Sequence, residues 1–91
     1  MLGLEEKSAA FGRALATVIR ERREEIGMSL TQLGTTAGLS QQSVSYLERL
    51  KRTPSIDTLF RVSQALGLSV SSLVKRAEKR AENSEYPNSH S

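Results

Sequence analysis

Gln41 and Gln42 stand side by side in the stretch Ser40-Gln41-Gln42-Ser43, with Tyr46 one helical turn beyond Gln42. Each amide carries donors on its nitrogen and an acceptor on its oxygen, and the serine and tyrosine hydroxyls serve as either, so the group can match the polar edges of another molecule. Arg49, Lys51 and Arg52 follow with positive charge. This is the chemistry of recognition. The residue types for bond-breaking are scarce: cysteine is absent and histidine occurs only as His90, which excludes disulfides, thiolate zinc sites and Cys or His nucleophiles. No metal-ligand cluster, no nucleophile with a base at hand and no Gly-rich phosphate loop is readable. The sequence therefore implies no enzyme, no metal and no cofactor.

The elements that must position these side chains fit a single small domain, since 91 residues bury only a modest core. The apolar runs are only a few residues long, and the start MLGLEEK is acidic where a signal peptide would be basic and then apolar. A soluble, cytoplasmic chain with no membrane contact is expected. Net charge is +3 with a pI near 9.7, which permits an anionic partner without demanding one. Its distribution is uneven: residues 5–25 balance five basic against five acidic groups, whereas residues 49–52 read Arg-Leu-Lys-Arg and residues 75–80 hold four basic residues against one acid.

Periodicity predicts an all-α chain. Phe11, Leu15, Val18, Ile19 and Ile26 mark an amphipathic first helix starting near Ser8 and stopping at Gly27, after a short extension over residues 1–7. Ser29 caps a short second helix holding Leu33 and Ala37, closed by Gly38. Ser40 caps a third, with Val44 and Leu47 facing inward and Gln41, Gln42, Ser45, Tyr46 and Arg49 facing out. Lys51, Arg52 and Thr53 form a turn, Pro54 bars continuation, and Ser55 caps a fourth helix with Leu59, Val62 and Leu66 inward, ended by Gly67. Ser69 opens a fifth with Val70, Leu73, Val74, Ala77 and Ala81, so the domain spans residues 8–83, and residues 84–91 read as a disordered tail.

The second and third helices, joined through Gly38, Leu39 and Ser40, have the lengths and chemistry of a helix-turn-helix. Two helices crossing steeply need a small side chain about one turn before the turn glycine, and Gly34 sits at that place. It supplies clearance at a helix-propensity cost of roughly 1 kcal/mol relative to alanine.

From Phe11 to about Ala77 the chain resembles the Cro/C1-type (XRE) helix-turn-helix family of phage repressors and bacterial regulators. The resemblance is carried by the Arg23-to-Gly27 entry, Leu33, the Gly38-Leu39-Ser40 turn, Glu48 with the basic turn and Pro54, and the Leu66-Gly67-Leu68-Ser69-Val70 closure. It implies a five-helix lambda-repressor-like domain whose third helix enters the major groove of double-stranded DNA. On that reading Gln41, Gln42, Ser43 and Tyr46 contact bases, a glutamine amide matching the N6 and N7 edge of adenine. Tyr46 has a second reading as a half-buried packing residue. Ser29, Ser40, Ser45, Arg49, Lys51 and Arg52 are the implied phosphate contacts. Arg23 and Glu48 are implied to form a partly buried ion pair that orients the recognition helix.

The resemblance also implies a homodimer on a palindromic operator, acting in transcription regulation, with Val70, Leu73, Val74 and Ala77 on the dimer surface. No small-molecule ligand is expected. Two positions depart from the family pattern. Leu30 stands where a polar residue, often glutamine, braces a phosphate, and Leu50 stands where glycine is common. Because a left-handed leucine is costly, Leu50 predicts a longer third helix or a different turn. Together they support an alternative, a protein-interaction module on the same fold without operator reading.

Overall fold

The computed structural model describes residues 3–50 and 53–85, the side chains of Ser84 and Glu85 excepted. Lys51 and Arg52 lie outside the described residues, as do residues 86–91 of the tail. Five helices follow in order: α1 (Leu4–Glu25), α2 (Leu30–Ala37), α3 (Gln41–Glu48), α4 (Ile56–Ala65) and α5 (Val70–Glu85). No strand occurs among the described residues. The all-α expectation and the helix order hold, with two changes of boundary. The first helix begins at Leu4, ahead of Ser8, because Glu5 and Glu6 in its first turn and Arg22 and Arg23 in its last complement the helix dipole. The fifth continues through Ser84 to Glu85, two residues assigned above to the tail.

The starts of the middle helices follow directly from serine chemistry. The side chains of Ser29, Ser40 and Ser55 accept hydrogen bonds from the backbone N–H groups of Gln32, Ser43 and Thr58, satisfying donors that a helix start leaves unpaired. At α2 the cap is reciprocal, since the Ser29 backbone N–H donates to Gln32 Oε1 at 2.8 Å.

Packing then draws the apolar stripes together. Leu15, Val18 and Ile19 of α1, Leu33 of α2, Val44 and Leu47 of α3, Val62 of α4, Leu66, and Leu73, Ala77 and Ala81 of α5 form one core. The small residues Ala77 and Ala81 let α5 lie close along α1, which is its main support. Arg22 reinforces that corner, donating from Nε to the Leu66 carbonyl at 3.0 Å, while Arg80 of α5 pairs with Glu21 of α1 at 2.9 Å. Arg61 of α4 pairs with Asp57 at 2.8 Å and reaches the Ala37 carbonyl at the end of α2.

Leu73 and Ala77 cannot serve a dimer surface as the sequence suggested, because both are fully buried inside the single chain, at 0% exposure. Val70 and Val74 remain half-buried. Leu50 is the other correction. The third helix does not run on; it stops at Glu48, and Leu50 adopts the left-handed conformation with φ of 58°. Its side chain lies over Gly12 of α1 and helps line an apolar cleft with Phe11, Leu15, Leu47 and Pro54. Packing thus offsets a backbone cost of about 1–2 kcal/mol.

Substitutions at two positions test these backbone assignments by equilibrium denaturation. A Cβ on Gly34 would stand 2.7 Å from the Leu39 carbonyl oxygen and 3.3 Å from Gln41 N, both backbone atoms of the turn. Gly34→Ala is expected to lower stability by about 1–3 kcal/mol despite alanine's better helix propensity. At Leu50 the usual order of alanine over glycine should invert, Leu50→Gly being more stable than Leu50→Ala by about 1 kcal/mol, since alanine keeps the strain and loses the packing.

Candidate nucleic-acid interface

The short turn Gly38-Leu39-Ser40 brings α2 and α3 together with little room to spare. Gly38 takes φ of 73°, closing α2, and the Leu39 N–H donates to the Gly34 carbonyl at 2.7 Å. Leu39 is half-buried against the core, and Val44 and Leu47 fix the inner face of α3. The opposite face is polar. Gln41 and Gln42 are exposed in its first turn, Ser43, Ser45 and Tyr46 are half-buried, and Arg49 is exposed at its C-cap. Lys51 and Arg52, the other two implied phosphate contacts, lie outside the described residues.

Within this face the hydrogen bonds are largely internal. Ser40 Oγ accepts from the Ser43 N–H at 3.0 Å and donates to Ser43 Oγ at 2.9 Å, so its hydroxyl is committed to the cap and the Ser43 hydroxyl hydrogen is the one left to point outward. Gln42 Nε2 donates to the Tyr46 hydroxyl at 2.7 Å, across one turn of the same helix. Gln41 Oε1 accepts from the Thr31 hydroxyl on α2 at 2.9 Å. Tyr46 is half-buried, in keeping with its packing reading, and its hydroxyl meets the Gln42 amide.

Charge holds the whole unit against α1. Arg23 donates from Nε to Glu48 Oε2 at 2.7 Å and from Nη2 to Glu48 Oε1 at 3.0 Å, the two-pronged geometry that suits a guanidinium and a carboxylate. Its remaining nitrogen donates to the Met28 carbonyl at 2.8 Å, tying in the α1–α2 loop. The side chains are 12% and 6% exposed, so the pair is largely removed from water. The hydrogen bond to Glu48 is the main cause that raises the Arg23 pKa above its ordinary value, against an opposing effect of burial. A raised guanidinium pKa means that this contribution is complete wherever a free guanidinium is protonated and is lost only at more alkaline pH. Glu25 has the opposite sign. Its hydrogen bond from Arg22, and then the charge of Arg22, hold its carboxyl below the usual range, so its small surface contribution disappears only in acid.

The polar face of α3 was legible in the sequence and the ion pair in the resemblance, but Thr31, Arg61 and Arg22 were not. Thr31 contacts a residue ten positions away, and no local pattern signals such a bond. Gln32 was legible in principle, since Ser29-x-x-Gln32 is a capping-box spacing. Among the described residues no group of three or more His, Cys, Asp or Glu side chains could hold a metal, and no helix is long and apolar enough to cross a membrane.

The helix-turn-helix family profile matches residues 19–73, which run from the last third of α1 through α2, α3 and α4 into α5. The chain belongs to the helix-turn-helix family. It is of the Cro/C1 (XRE) type. The uncharacterized HTH-type transcriptional regulator y4dJ of Sinorhizobium fredii is 42% identical over 52 residues, covering 57% of this chain and 68% of that protein. The clp gene regulator ClgR of Corynebacterium glutamicum superposes with a TM-score of 0.79 at 27% identity, over 85% of this chain and 82% of the other. The restriction-modification controller protein C.AhdI of Aeromonas hydrophila superposes with a TM-score of 0.65 at 26% identity, over 67% and 92%. In this helix-turn-helix protein Arg23 and Glu48 join α1 to the end of α3, and the exposed amides of Gln41 and Gln42 begin that helix.

Breaking the pair from one side tests its role. Arg23→Ala strands the Glu48 carboxylate and should cost about 3–5 kcal/mol in chemical denaturation, whereas adding Glu48→Ala should cost much less than a second such loss. The binding preference of the fraction that remains folded should not change.

Proposed function

We propose that this helix-turn-helix protein binds double-stranded DNA sequence-specifically, as a homodimer on a palindromic operator, and regulates transcription. The observation that supports this most strongly is the placement of Gln41 and Gln42. Both are exposed in the first turn of α3, on a helix fixed to α2 by a glycine-cleared turn and to α1 by a buried ion pair. A helix start held this rigidly can carry amides into the major groove at defined depth.

Around that centre the remaining roles fall into place by chemistry. The Ser43 hydroxyl adds a third group near the base edges, and Tyr46 acts on them through Gln42. Ser29 and Ser40 cap helix starts, where N–H groups favour a phosphate, Ser45 offers a hydroxyl from the second turn of α3, and Arg49, Lys51 and Arg52 supply charge for the DNA backbone. The half-buried Leu30 contributes packing where a polar side chain would reach phosphate, so this dock rests more on the turn after α3. A second copy would meet Val70 and Val74 at the start of α5, the two members of the suggested dimer surface that the core leaves partly open. The similarity to a gene regulator and to a restriction-modification controller is in keeping with a regulatory role.

The decisive experiment is selection of binding sequences from a random duplex pool, followed by titration of the winner and a scrambled duplex at two salt concentrations. The expected outcome is a palindrome bound about a thousandfold or more above scrambled DNA. Affinity should fall with salt at a logarithmic slope near −0.9 per phosphate contacted. Gln41→Ala and Gln42→Ala should each lose about 1–3 kcal/mol on the selected site and little on scrambled DNA. Binding without any enriched sequence, disappearing as salt rises, would leave only nonspecific attraction and favour the protein-interaction module.

A further inference from the structure

A groove of about 360 Å³ lies between the last third of α1 and the second half of α5. Its α1 wall carries Val18, Glu21, Arg22 and Glu25, which recur at three- and four-residue spacing and so share one helix face. Gly12 and Arg23, the α1 residues that meet Leu50 and Glu48, point roughly 140° away around the same helix. The groove therefore opens away from α3 and its exposed amides.

Four cations line this groove against the two carboxylates. Arg22 donates to the Leu66 carbonyl at 3.0 Å and to Glu25 at 2.8 Å, and Arg80 donates to Glu21 at 2.9 Å, so each carboxylate has its own guanidinium. Arg76 and Lys79, exposed three residues apart on α5, make no ion pair or side-chain hydrogen bond among the described residues. The Glu25 carboxyl is held below its usual range first by the hydrogen bond and charge of Arg22, and Arg76 adds to that effect across the groove. Two positive charges are thus left over on one side of a concave surface. From this charge balance we infer that the groove binds the pyrophosphate group of a small phosphorylated molecule, or pyrophosphate itself, with Arg76 and Lys79 as its principal partners. A guanidinium fork matches two phosphate oxygens and an ammonium adds a point charge. Linked phosphates can meet both, because residues three apart on a helix lie about 5–6 Å from one another. A DNA backbone fits less well, since its unbroken succession of phosphates would run past Glu21 and Glu25, whereas a compact anion ends short of them. The site is separate from α3, and the inference does not rest on operator reading.

Calorimetric titration of the full chain with inorganic pyrophosphate and with ADP, at about 0.15 M salt, tests the site. The expected result is saturable binding of one ligand per chain, with a rise in the thermal midpoint as the ligand saturates. ADP bound more tightly than pyrophosphate identifies a nucleotide as the source of the group, and the reverse order identifies the free anion. Arg76→Ala combined with Lys79→Ala removes exposed side chains that support no packing, and should weaken binding by about tenfold or more without shifting the midpoint of the free protein. Arg20→Ala combined with Lys75→Ala removes the same charge outside the groove and should leave binding as it was. The inference is overturned if neither ligand saturates, if sodium chloride of matched ionic strength gives the same midpoint shift, or if the two double variants lose equally. A scrambled duplex that displaces pyrophosphate, or that binds the Arg76→Ala, Lys79→Ala variant more weakly, would also overturn it by making these cations contacts to a DNA backbone.

Discussion

The close approach of α2 to the turn that follows it is the constraint on which the rest of the helix-turn-helix depends. With no side chain at Gly34, the backbone of Leu39, Ser40 and Gln41 can lie within contact distance of α2, and the Leu39 N–H can reach the Gly34 carbonyl at 2.7 Å. That approach sets where α3 begins. It also sets the reach of Thr31, because a hydroxyl on α2 meets an amide in the first turn of α3 only when the helices cross this closely. The propensity lost by a glycine inside a helix is small beside the backbone clash that any larger residue would introduce.

Electrostatics acts as a second fastening, applied at the other end of α3. Arg23 and Glu48 form a paired, largely dehydrated contact, and the third guanidinium nitrogen holds the loop at Met28. Burying such a pair contributes little net stability, since the desolvation of both charges offsets their attraction. Its effect is on orientation: with the start of α3 fixed by the turn and its end fixed to α1, the outward face has one direction. Side-chain hydrogen bonds within that face then limit the freedom of the amides.

Leu50 shows how a fold keeps its path when a sequence departs from the family pattern. The chain must turn sharply after α3 to enter α4, and a glycine would do so without strain. Leucine takes the same left-handed conformation and places its side chain over Gly12 of α1, where it covers part of the apolar cleft. A local propensity pointed away from this turn, and a tertiary contact overrode it. The core makes a similar decision about α5, taking Leu73 and Ala77 for itself and leaving only Val70 and Val74 partly open.

Local chemistry alone determined much of this protein. Serine caps at Ser29, Ser40 and Ser55, turn glycines at Gly38 and Gly67, and apolar residues at helical spacing act through the nearest one or two turns of chain, so they specify the five helices and the polar face that carries Gln41 and Gln42 without reference to distant partners. The same holds for Gly34, whose absence of a side chain is informative beside so short a turn. The ion pair of Arg23 with Glu48 came from the resemblance of the whole pattern, since the two residues lie 25 positions apart. Only the tertiary structure decided the left-handed Leu50, the burial of Leu73 and Ala77, and the bond from Thr31 to Gln41. Each of these depends on which helices touch and at what distance, and that is set by packing the full set of apolar faces into one core.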